Sequence, residues 1–167
     1  VLGSLVDTSK DKFSGMAGAF TDKGILLYVP KNVSVEETLH SLLWGPGGKA
    51  AYFSHLLIWV EDGAKVTYVH ESASPHEDEQ SFHAGIVEIH VGEAAKLNFV
   101  ELQSWGNKVW NFSHEKARIE KDGKLDWIFG AVGSHLTKNF TDIDLIGKGA
   151  EGRMSGFYFT DGTQHLD

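Results

Sequence analysis

With no cysteine anywhere in its 167 residues, this sequence offers histidines and carboxylates as its chemically versatile side chains. That absence rules out a disulfide framework, a thiolate ligand or a sulfur acceptor from this stretch. Nine histidines (His40, His55, His70, His76, His83, His90, His114, His135 and His165) raise the question of a metal site, because neutral imidazole is the commonest metal ligand. Ligands must converge, however, and only His70 has a suggestive neighbour. One repeat further along the chain its slot is filled by Glu101. A structural histidine–glutamate pair is the preferred reading over a ligand pair.

Three other patterns invite chemistry and lose to plainer readings. HAGIVEIHVGE (residues 83–93) resembles a metal-binding cupin strand, yet Val91 and Gly92 follow His90 where a second histidine is needed. GPGGKA (residues 45–50) lacks both the glycine spacing of a phosphate-binding loop and the Ser or Thr after the lysine, so it reads as a turn. Asp142, Asp144 and Asp161 could serve a β-helical polysaccharide lyase or hydrolase, which needs paired acids. Charges on an outer strand face are ordinarily just solvated. No catalytic, cofactor-binding or metal-ligating residue is assigned.

The elements that would position these side chains repeat. VEDGAKVTY (60–68), VGEAAKLNF (91–99) and IEKDGKLDW (119–127) fill the same slots with the same kinds of residue. Ala64, Ala95 and Gly123 share one slot, and Lys65, Lys96 and Lys124 the next. Tyr68, Phe99 and Trp127 close the match. Weaker copies at 29–37 and 146–154 bring the starts to Val29, Val60, Val91, Ile119 and Ile146, spaced 31, 31, 28 and 27 residues apart. Apolar residues alternate with polar ones at period two, the mark of a strand with one buried face.

Strands that always return in the same direction stack in parallel and close their apolar faces inward. The expected fold is therefore all-β, a right-handed parallel β-helix of about five coils, one domain over residues 1–167. Equivalent slots form columns: Tyr68, Phe99 and Trp127 inside, the lysines outside, with Glu61, Glu93 and Glu120 moderating their charge. From Ser34 onward a strand is preferred to a capped helix, although Ser34 and Glu37 stand at capping-box spacing. ESASPHEDEQ (71–80) reads as a solvated, mobile loop leaving the stack.

Fifteen basic against 23 acidic side chains leave a net charge of −8, which argues against nucleic acid as partner. No apolar run nears the roughly 20 residues of a membrane-spanning helix. No secretory signal follows Val1, so cytoplasm is the expected location. The closing TDGTQHLD leads us to expect a piece of a longer protein, whose unpaired strand edges favour self-association into a homodimer.

At this point the sequence resembles a known family. Residues 87–167 are similar to the core of the SufB/SufD iron–sulfur cluster assembly proteins, and GILLYVPKNVSVEE (24–37) to that family's opening strand. The likeness spans residues 20–167. Its most specific pieces are LQSWG (102–106), IDLIGKGAEG (143–152) and FTDGTQHLD (159–167). SGFYF (155–159) and DGTQH (161–165) look more like SufD than SufB, while Thr38 stands where the family commonly has proline. The resemblance implies a scaffold subunit rather than an enzyme. It would pair with a SufB-like protein through the β-helix and bind a SufC-type ATPase through parts not in this sequence, its N-terminal and C-terminal helical parts being absent. The iron–sulfur cluster is assembled by the full complex and this segment binds no cofactor itself. The family's functional Cys, His and Glu residues lie beyond residue 167, so none is carried over.

Overall fold

The computed structural model describes residues 2–75 and 78–167. Among the described residues eleven strands wind as a parallel solenoid of about five coils, each coil giving one strand to each of two facing sheets. The first sheet takes β1 (Lys23–Val29), β3 (Ala51–Val60), β5 (Ser81–Val91), β7 (Val109–Ile119), β9 (Leu136–Leu145) and β11 (His165–Leu166). The second takes β2 (Leu39–Trp44), β4 (Lys65–Ala73), β6 (Lys96–Trp105), β8 (Lys124–Gly133) and β10 (Glu151–Phe159). Among the described residues every strand pairing is parallel, and the ladder bonds run to the coil above or below.

The repeat read from the sequence is the register of this stack. Val29, Val60, Val91 and Ile119 lie opposite one another, as do Tyr68, Phe99 and Trp127. The aromatic column is buried, with ring centroids 5.8 Å and 5.4 Å apart. Burial on this scale stabilises by about 2–3 kcal/mol per large side chain. Between the two strands of each coil the chain turns through one left-handed residue: Asn32, Gly63, Ala94, Asp122 and Gly149, with φ between 53° and 75°. At the three central corners the next slot is small and buried, filled by Ala64, Ala95 and Gly123.

Register slips at both ends of the repeat. Leu145, not Ile146, lies opposite Ile119, because the last turn holds one extra residue before Glu151 meets Lys124. In the first coil Ser34 bridges Lys65, but Leu39 rather than Glu37 lies opposite Tyr68. Two extra residues therefore bulge between them, around Thr38. The chain from Ser34 forms a bridge and then a strand, and the Ser34 hydroxyl bonds Glu36 instead of capping a helix. Strand β4 continues through Ala73, so the loop begins at Ser74 rather than Glu71; His76 lies outside the described residues. Of the lysine column, Lys124 pairs with Glu151 at 2.9 Å, and no ion pair to Glu61, Glu93 or Glu120 occurs among the described residues.

A helix, α1 (Lys12–Phe20), was not expected. Asp11 caps it, accepting from the Phe13 and Ser14 N–H groups while the Ser14 hydroxyl accepts from Asp11 N–H. The helix lies on the outer face of the first sheet, with Ala17 fully buried and Phe13 stacked on Phe112 at 3.7 Å.

Candidate functional site

On β4 and β6 the inward positions are apolar along the first half of the strand and largely polar along the second. On β4 the inward series runs Val66, Tyr68, His70, Ser72, and on β6 it runs Leu97, Phe99, Glu101, Gln103, Trp105. The facing sheet supplies Ser54 from β3, His83 from β5, Asn111, Ser113 and Glu115 from β7, and Thr141 from β9. Alternation thus buries a polar cluster inside the solenoid, and burial requires its members to satisfy one another.

One hydrogen-bond chain crosses from sheet to sheet. Ser54 Oγ donates to His83 Nε2 (2.8 Å), and His83 Nδ1 donates to Asn111 Oδ1 (2.7 Å), the tautomer being assigned from this network. Asn111 Nδ2 then donates to Gln103 Oε1 (2.9 Å), and Gln103 Nε2 donates to Glu101 Oε1 (3.2 Å). Glu101 also accepts from the Trp127 indole N–H at 3.2 Å and meets the carboxyl of Glu115. Thr141 donates to Glu115 Oε2 at 2.7 Å.

Burial sets the ionisation of this cluster. Desolvation and then the charge of Glu115 push Glu101 well above the ordinary carboxyl range, and desolvation pushes Glu115 up to about 7. The same desolvation lowers His83 to about 4 and His70 to about 4, so both imidazoles are neutral at physiological pH.

The histidines do not converge. His70 shares a slot with Glu101 as expected, but the pair does not form: its ring nitrogens go to Ser41 (2.8 Å) and Ser72 (3.2 Å), while Glu101 accepts from Gln103 and Trp127. In the cupin-like stretch His83 faces inward, His90 stacks on Trp59 outside, and Glu93 sits in a turn. His114, buried under the cap of α1, lies 3.0 Å from Asp11, while nearer the surface His40 lies 3.5 Å from Glu71 and His135 stacks on Trp110. Asp142 and Asp144 pair with Lys10 and Lys116, and Asp161 lies in the loop after β10, so these acids form no facing pair. Among the described residues no group of three or more His, Asp or Glu is placed to hold a metal ion.

A third buried carboxylate, Glu88, points outward from β5 beneath the N-terminal segment. Its oxygens accept from the N–H groups of Gly3, Leu5 and Val6 at 2.6–2.9 Å and from His55 at 2.9 Å. Burial alone would raise Glu88, but these four donors outweigh it and lower the carboxyl to about 2. Sequence reasoning missed Glu88 and Glu115. The available signal was a charged residue alternating with apolar ones in VEIHV and the inward pair Glu101 and Gln103 around LQSWG.

Comparison with known proteins rests on this solenoid. Residues 43–167, from the end of β2 through β11, match the model of the SufBD core domain of SUF-system iron–sulfur cluster assembly. The chain belongs to the SufBD family. A SufBD family iron–sulfur cluster assembly protein of Staphylococcus epidermidis is 30% identical over 164 residues, covering 98% of this chain and 35% of the relative. Counterparts in Staphylococcus haemolyticus and Staphylococcus aureus are each 30% identical over 156 residues, covering 93% of this chain and 34% of the relative. The chain therefore spans about a third of the length of these SufBD relatives.

Proposed function

We propose that this SufBD solenoid is a scaffold wall in iron–sulfur cluster assembly, a SufD-like component of a SufB–SufC–SufD type complex. The observation that carries the proposal is the coincidence of the SufBD core match with the coils themselves, over residues 43–167. The chemistry is compatible: lacking cysteine, the segment offers no thiolate to a nascent cluster, and its buried polar groups serve one another. The cluster is thus cargo of the complex, its ligands supplied by other parts. The preference for SufD over SufB rests on SGFYF and DGTQH, which form the end of β10 and the turn into β11. A SufB-like partner, a SufC-type ATPase and a cytoplasmic setting belong to the same proposal. Among the described residues no helix is long and apolar enough to cross a membrane.

The test is co-purification. A full-length protein carrying this segment, expressed with a SufB-like protein and a SufC-type ATPase, is expected to isolate both in one complex. Recovery of the full-length protein without either partner would overturn the reading. No observation favours a carbohydrate-active enzyme, since Asp142, Asp144 and Asp161 are not paired.

A further inference from the structure

The carboxyl groups of Glu101 and Glu115 meet inside the solenoid, 2% and 1% exposed. Both oxygens of Glu101 are engaged by N–H donors, Gln103 Nε2 and Trp127 Nε1, each at 3.2 Å. Glu115 uses Oε2 to accept from Thr141, while its Oε1 has no hydrogen-bond partner among the described residues. Two ionised carboxylates cannot occupy such a contact without strong repulsion, whereas one proton between them gives the orphaned oxygen a role.

We propose that Glu101 and Glu115 share one proton, and that this O–H···O bond is a pH-released latch joining the two sheets across the polar half of the solenoid. Glu101 stands on β6 of one sheet and Glu115 on β7 of the other. Trp127 of β8 and Thr141 of β9 both hang from the pair, so its ionisation is felt in the coils on that side. The other titratable groups that face it are His70 on β4, His83 through the chain from β5, and Tyr158 on β10. Burial keeps both histidines neutral, and no Lys or Arg among the described residues acts on either acid. The latch goes beyond the assembly role and does not depend on it.

Two amide substitutions separate a shared proton from mere packing. Glu115→Gln places an N–H where the proton lies and keeps an oxygen for Thr141, so it mimics the closed latch. Glu101→Gln sets an amide NH2 against an N–H donor from Gln103 or Trp127, and is expected to be the more disruptive. Infrared spectroscopy of the wild-type chain at pH 7 is expected to show a protonated-carboxyl carbonyl band that is lost only as the pH rises well beyond the ordinary carboxyl range. In Glu115→Gln, where Glu101 no longer faces a second carboxylate, the band is expected to be lost at lower pH than in the wild type. Over the same titration, amide protection in β8 and β9, corrected for intrinsic exchange, is expected to fall about tenfold per pH unit in the wild type and to stay flat in Glu115→Gln. A wild-type spectrum without the acid band at pH 7 would overturn the proposal. So would unchanged pH dependence in Glu115→Gln, or, if that variant does not fold, wild-type protection that falls without tracking the band.

Discussion

At Glu88 a carboxylate with no exposed surface is surrounded by three backbone N–H groups and one imidazole, all donating. Charge-assisted bonds of this kind contribute about 1.5–3 kcal/mol each, and more is lost when buried donors are left unmatched. Glu88→Gln is therefore expected to free the segment before α1: Leu5 and Val6 amides lose hydrogen-exchange protection, and tryptic cleavage at Lys10 and Lys12 quickens, while β6–β8 stay protected. The Glu88 carboxyl, lowered to about 2, contributes stability that is present above the ordinary carboxyl range and lost as the pH falls toward 2. His83 acts on the same side at higher pH. Its folded value of about 4 lies below the ordinary imidazole value, so its contribution is present above about 6.5 and lost between there and 4. His83→Gln is expected to cost about 1–3 kcal/mol at pH 7 but to flatten the decline between pH 6.5 and 4, read from urea midpoints across that range.

The corner turns are governed by a backbone requirement that side chains disguise. Each needs a left-handed residue, and the chain supplies Gly, Asn or Asp at four of the five positions but Ala94 at the fifth. An alanine there bears about 1–2 kcal/mol of strain. Ala94→Gly relieves it and adds about 0.4–1 kcal/mol of unfolded-state entropy, so a net gain of about 0.5 kcal/mol is expected in a denaturant titration. This column of left-handed residues was visible only in part, because Gly63 and Gly149 announce a turn whereas Ala94 does not. Helix α1 escaped notice for a related reason. Its sequence, KFSGMAGAF, has two glycines and only a short apolar face, so docking on the outer sheet rather than intrinsic propensity holds it.

For the whole molecule, the extensive contacts of each coil are with its neighbours, so stability is close to a sum of coil-to-coil contacts. A truncation at the centre must then cost far more than the same slot at the end. Trp127→Ala, which empties a fully buried position between Phe99 and the last coil, is expected to cost about 3–5 kcal/mol. Met154→Ala, in the adjoining slot but 43% exposed, is expected to cost less than about 1 kcal/mol. Comparison of the two guanidinium midpoints tests the one-dimensional picture; equal losses would count against it.

The sequence by itself determined the strand period, the parallel stack and the contents of each column, including the burial of Tyr68, Phe99 and Trp127. It could do so because neighbours within a sheet are fixed by a constant offset along the chain. Contacts across the interior obey no such offset. Which residue of one sheet faces which of the other depends on turn lengths, and these change by one residue before Glu151 and by two near Thr38. The meeting of Glu101 with Glu115 is one such contact across the interior, invisible in the repeat that aligns Glu101 with His70. The cover formed by residues 2–22, held to Glu88 through backbone N–H groups, likewise depended on tertiary structure alone, since backbone donors are identical in every sequence.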